Sequence, residues 1–129
     1  MNIPENLRYT KDHEWIRLDK NVAVVGITEF AVEQLGDITL VEMPELGDVV
    51  SEGDTIGTIE SVKAVSDMFA PISGTVKEIN EELDDAPEKV NDSCYNEGWM
   101  MKIEVGNTVD IEKLFDQAGY KTYLDSLDD

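Results

Sequence analysis

A chain of 129 residues is close to the commonest length for one domain, and 41% hydrophobic residues suffice to bury a core without disulfides. Its 29 acidic residues against 10 lysines and arginines give a net charge of −19, a surface that phosphate backbones and anionic lipid repel, which weighs against nucleic-acid or membrane work. One cysteine, Cys94, and one histidine, His13, rule out an internal disulfide and a Cys/His zinc site, and suit a reducing cytosol. Met1–Asn6 has no apolar signal-like run, and no stretch approaches the ~20 apolar residues of a membrane span, so a cytoplasmic monomer is expected. Its acidity suits a protein that meets several partners through basic surfaces on their side.

Glu14–Leu18 reads as a strand, Asp19–Asn21 as a turn and Val22–Ile27 as a second strand, which predicts an early hairpin. Thr28 can cap a short helix with Glu29 at its positive end, Ala31, Val32 and Leu35 inward, and Gly36 at its close. Asp37–Met43 returns to β structure and Pro44 stops it. From there to Asn80, glycines and prolines separate short β-rich pieces, among them a faint echo between Gly57-Thr58-Ile59 and Gly74-Thr75-Val76 that suggests a two-fold repeat. Glu81–Asp85 reads as a short helix or turn. Trp99–Val105 has the cleanest alternation, with Trp99, Met101, Ile103 and Val105 on one face. From Asp110 the apolar spacing is helical with a break at Gly119, and Leu127–Asp129 should fray. Many short strands with Gly/Pro turns predict an all-β sandwich or barrel carrying small helices, in a single domain over 1–129.

Within that pattern Lys63 stands out. It is the only basic residue between Lys20 and Lys77, an interval with ten acids. β-branched residues on both sides favour extended backbone, so Thr58–Val62 and Val65–Phe69 read as strands meeting near it. A long amine at such a tip is open to another protein, although an isolated lysine on a turn is usually plain solvated surface.

Glu60-Ser61-Val62-Lys63-Ala64-Val65-Ser66-Asp67 closely resembles the lipoylation hairpin of the glycine cleavage system H-protein family. His13-Glu14-Trp15, Gly26-Ile27-Thr28, Leu35-Gly36-Asp37, Ala70–Gly74, Val90-Asn91 and Gly98-Trp99-Met100 resemble further landmarks of that family, in its order. The resemblance implies a barrel-sandwich hybrid, the lipoyl-domain-like fold, with its core at about 22–105. To this it adds an N-terminal hairpin, a short inserted helix and short C-terminal helices. It implies two small sheets related by an approximate two-fold. It implies that Lys63 bears lipoate as an amide, attached by a lipoate ligase or lipoyl transferase. The arm would ferry an aminomethyl group from a glycine decarboxylase (P-protein) to an aminomethyltransferase (T-protein), and a dihydrolipoyl dehydrogenase (L-protein) would reoxidise it. The chain itself would be no enzyme, with no catalytic residue and no metal. Glu14 and Asp67, both in matching motifs, are the candidates for holding the amine of the loaded arm.

Phe30 and Gln34 replace histidines common in the family, and Cys94-Tyr95-Asn96 stands for a more usual Pro-Tyr-Gly. A biotin carrier would flank its lysine with methionines, where Val62 and Ala64 stand here. A lipoyl domain of a 2-oxo acid dehydrogenase is typically shorter and tethered by Ala/Pro-rich linkers. An H-protein-like lipoate relay outside glycine cleavage keeps the same hairpin and is the alternative function. A hydrolase using Glu60 and Asp67 lacks any legible nucleophile or oxyanion donor.

Overall fold

The computed structural model describes residues 2–106 and 108–127, with the backbone alone for 108–110. Met1, Asn107, Asp128 and Asp129 lie outside the described residues; of the end expected to fray, Leu127 is the last residue of α4 and the other two fall outside. The strands are β1 (Arg8–Tyr9), β2 (Glu14–Asp19), β3 (Val22–Ile27), β4 (Ile38–Glu42), β5 (Val49–Val50), β6 (Thr55–Ser61), β7 (Val65–Phe69), β8 (Gly74–Ile79) and β9 (Met101–Glu104). The helices are α1 (Glu29–Leu35), α2 (Glu82–Asp85), α3 (Lys89–Asp92) and α4 (Gln117–Leu127), with a 3-10 helix at Thr108–Lys113. A six-stranded sheet runs β1-β2-β3-β9-β8-β5 and a three-stranded sheet runs β4-β6-β7, both antiparallel throughout. The sheets differ in size because the N-terminal hairpin and β1 extend one of them.

Period-two alternation explains how the larger sheet is covered on both faces. In β3, Ala23, Val25 and Ile27 join the core between the sheets, together with Ile38, Val41, Ile59, Met68, Val76, Met101 and Ile103. Val24 points the other way, into a second cluster with Ile3, Leu7, Tyr9, Trp15 and Tyr120. There α4 lies across the sheet, with Tyr120 stacked on Tyr9 at 4.6 Å between ring centroids. Trp15 and Gly26 are register partners, and a Cβ on Gly26 would collide with the indole. The missing side chain is what lets that ring lie flat over the strand.

The faint repeat has a physical counterpart. A Cβ on Gly57 would strike the Glu42 carbonyl of β4, and one on Gly74 the Glu104 carbonyl of β9. The following threonines, Thr58 and Thr75, then register against those same glutamates. Each glycine allows two strands to approach closely at the equivalent place in its own sheet.

Two expectations need correction. Met101, Ile103 and Val105 are buried in the main core, but Trp99 precedes β9, packs against the second cluster and is only half-buried. Lys102 Nζ lies 5.1 Å from the centroid of its ring, so aromatic and cation occupy the outer side together. Gly119 breaks nothing, because α4 runs through it. The interruption is at 114–116, where Phe115 exchanges backbone hydrogen bonds with Tyr9 (2.9 Å each way) and Asp116 accepts from Gly119 N (2.8 Å). An exposed carboxylate at a helix start meets a free N–H there, so the helix begins where the glycine was expected to end one.

Candidate functional site: an exposed lysine on a hairpin tip

β6 and β7 pair in register up to Glu60 and Val65, leaving Ser61–Ala64 as the turn. Ser61 N donates to Ala64 O at 2.8 Å. The Ser61 hydroxyl donates to Ala64 O (3.2 Å) and accepts from Lys63 N (3.3 Å) and Ala64 N (3.1 Å). One small side chain thus meets the polar backbone groups of the turn, the behaviour that favours serine there. Val62, Lys63, Ala64 and Val65 are exposed, and no ion pair among the described residues involves Lys63.

The tip leans on the loop that ends α1. Gly36 N donates to Val32 O, and Gly36 has φ +78° and ψ −149°, a conformation that only glycine adopts cheaply. Lys63 Cε lies 3.3 Å from where a Cβ on Gly36 would stand, so the lysine stem lies against the bare backbone. Val62 N donates to Asp37 O (3.0 Å). On the far side of the same loop, Asn91 Nδ2 donates to Gly36 O (2.8 Å) and Ile38 N donates to Asn91 Oδ1 (2.9 Å).

Glu14 and Asp67 are brought to the same strand but not into contact. Alternation places Glu14 on the inner side of β2 beside Ile16, and it is 2% exposed. Phe69 N donates to Glu14 Oε2 (2.8 Å) and Thr10 Oγ1 to Glu14 Oε1 (3.1 Å). Burial pushes its carboxyl up to about 8, against the opposing pull of those two hydrogen bonds, so it is largely protonated near neutrality. It lines a cleft of about 300 Å³ at the end of β7 away from the tip, beside Asp12, Glu52, Lys11 and Lys113. Asp67 is exposed on the outer face of β7, opposite Thr58, and its carboxylate makes no hydrogen bond among the described residues. Glu60 is its diagonal neighbour on that face.

The departures are accommodated in place. Phe30 packs on His13 at 4.4 Å between centroids, and Gln34 is exposed. Cys94 is buried, which raises its thiol to about 12, while its carbonyl accepts the Trp15 indole N–H (3.0 Å). The supports of the site escape a reading of the sequence alone. Thr10 draws no notice there, although a threonine four residues before a glutamate in a turn offers a hydroxyl for both backbone and carboxylate. Asn91 stands out only as half of a motif, because a two-sided amide bond to a loop more than fifty residues away leaves no local signal. Among the described residues no cluster of three or more His, Cys, Asp or Glu is placed to hold a metal ion, and no helix is long and apolar enough to cross a membrane.

The glycine cleavage H-protein family model matches residues 7–127. The glycine cleavage system H proteins of Anaeromyxobacter sp. (strain K) and Anaeromyxobacter dehalogenans (strain 2CP-1) are each 53% identical over 125 residues, 97% of this chain and 98% of theirs. The crystal structure of a glycine cleavage system H protein from Mycobacterium marinum superposes with a TM-score of 0.86 at 36% identity, covering 93% of this chain and 97% of that one. With fold, hairpin and sequence agreeing over nearly the full length, the chain belongs to the glycine cleavage H-protein family.

Proposed function

We propose that this chain is a lipoyl carrier of glycine cleavage, with the lipoyl group joined to Lys63. The observation that carries the reading is the tip itself: an exposed amine with no ion-pair partner among the described residues, flanked by small or β-branched residues. That geometry fits acylation, since nothing larger than valine stands next to the amine on the turn. When attached, the lipoyl group would supply the disulfide/dithiol chemistry for carrying an aminomethyl group. Everything else falls to the protein: presenting the tip and sheltering the cargo between enzymes. A short tether of this kind keeps its end at an effective concentration of ~mM near a docked active site. The partners are the glycine decarboxylase, the aminomethyltransferase, the dihydrolipoyl dehydrogenase and the enzyme that attaches lipoate.

Glu14 and Asp67 form the sheltering path, with Asp67 midway along β7 and Glu14 in the cleft at its end. Each Glu14 oxygen keeps an acceptor site beyond the one already used. A cationic amine brought beside it would favour the ionised carboxylate and pull its pKa down, turning a neutral acid into a counter-charge on arrival.

The test is intact-mass analysis after incubation with lipoate, ATP and a lipoate ligase. The wild type should gain one lipoyl group, and Lys63→Arg none, with an unchanged circular dichroism spectrum. An unmodified wild type, or a lipoyl group persisting in Lys63→Arg, refutes the assignment.

A further inference from the structure

The geometry points to Asn91 as the positioning residue for the Lys63 tip. Among the described residues, the backbone groups of 61–64 and the Ser61 hydroxyl make one hydrogen bond outside the hairpin, from Val62 N to Asp37 O (3.0 Å). The turn is self-sufficient in shape; β6 is paired with β4 as far as Ser61, and beyond that pair the lean of the tip depends on where Asp37 O is held. Asp37 is exposed and belongs to no strand or helix. Its two chain neighbours, Gly36 at the end of α1 and Ile38 at the start of β4, are clasped together by the single amide of Asn91, which takes Ile38 N at 2.9 Å and reaches Gly36 O at 2.8 Å. The same clasp fixes Gly36, against which the lysine stem lies.

Asn91 can do this because it is anchored below. It follows Val90, fully buried in the main core, on the four-residue helix α3. Three structural pieces distant in sequence therefore act in series: α3 holds the loop after α1, and that loop holds the tip. The inference rests on the reading that Lys63 accepts an acyl group. In that step the deprotonated amine attacks the carbonyl of an activated lipoyl donor. The amide bond forms as the donor's leaving group departs with its electron pair, and the nitrogen loses a proton to solvent. Asn91 touches none of the reacting atoms. It raises the fraction of molecules whose tip is presented in one orientation, and an acceptor that is competent only part of the time binds its enzyme more weakly in proportion.

The experiment compares the full-length wild type with Asn91→Ala, Asn91→Asp and Asn80→Ala. Asn80 is a matched control: its amide also bridges two carbonyls, Glu97 O (2.9 Å) and Trp99 O (2.8 Å), but it has no link to the tip. Two quantities are read: exchange of the Val62 amide hydrogen, and kcat and KM for the protein in lipoate attachment by a lipoate ligase with ATP. Asn91→Ala should speed Val62 exchange and raise KM by about tenfold, the scale of one lost hydrogen bond, with kcat little changed. Asn91→Asp keeps the acceptor for Ile38 N and loses the donor to Gly36 O, so it should fall between. Asn80→Ala should leave both quantities at wild-type values, whatever it does to global stability. Wild-type KM and Val62 exchange in Asn91→Ala, or equal changes in Asn80→Ala, overturn the proposal. If Asn91→Ala does not fold, Asn91→Asp decides by the same two readings. A wild type that takes no lipoyl group defeats the Lys63 reading alone, and Val62 exchange still decides whether Asn91 positions the tip.

Discussion

Replacing Glu14 by glutamine should change how stability depends on pH. In the folded state this carboxyl titrates at about 8 instead of 4.5, because burial disfavours its charged form. Between those values the folded chain holds a proton that the unfolded chain has released. Stability from Glu14 is therefore fully present below pH 4.5 and is lost as pH rises through 8. One proton corresponds to at most ~1.4 kcal/mol per pH unit, so from about pH 5.5 to 7.5 the wild type should lose about 2 kcal/mol through this group. The amide of the Glu14→Gln variant cannot titrate. It offers one oxygen where the acid offers two, so either Phe69 N–H or Thr10 O–H loses its acceptor, at about 1–3 kcal/mol. The variant should be clearly weaker than the wild type near the acid end of that range, with the gap closing toward pH 8. Urea melts of both proteins across this range give the difference, and subtraction cancels the remaining acids. Two curves that stay parallel would show that Glu14 is not held neutral, and the charge-on-arrival account of sheltering would fall with it.

Ile103→Ala, at a fully buried position of the main core, should destabilise by about 2–5 kcal/mol in urea melts. Lys102→Ala, which removes a half-exposed ion pair to Glu78 and a contact with Trp99, should cost under about 1 kcal/mol. With the aminomethyl group loaded, Glu14→Gln and Asp67→Asn should each lose it faster than the wild type when no other enzyme is present. Asp125→Asn, at an exposed position of α4, should not; one rate for all four proteins would leave Lys63 a bare tether.

The strands and the hairpin are legible because their signals are local. β-branched runs, a capping threonine and a closing glycine each act within a few residues. Glu14 is harder to place, since Trp15 and Ile16 are both apolar and no polar face marks which side is out. Both faces of β2 are covered, one by the second sheet and one by α4, and that covering is tertiary. Trp99 misleads for a related reason: it continues the alternation of β9 in sequence, but the strand starts two residues later. Gly119 reads as a break by its helix propensity, which a favourable start at Asp116 and the buried, stacked Tyr120 outweigh.

The tip divides the same way, and the division bears on what a carrier requires. Its shape comes from Ser61, whose hydroxyl meets the turn's own N–H and C=O groups, so a short peptide with this sequence has what it needs to bend. Its orientation comes from elsewhere, through the β4–β6 pairing that ends at Ser61 and, beyond it, a single backbone bond to Asp37. A net hydrogen bond in water contributes only about 1 kcal/mol, so the tip is held in one place most of the time and released at small cost. Had the lysine been anchored by a core side chain, each partner enzyme would have to break several kcal/mol of packing to draw it in. Had the turn no tertiary bond, each encounter would begin with a search over orientations. One exposed bond, braced from behind by the Asn91 amide, lies between those limits.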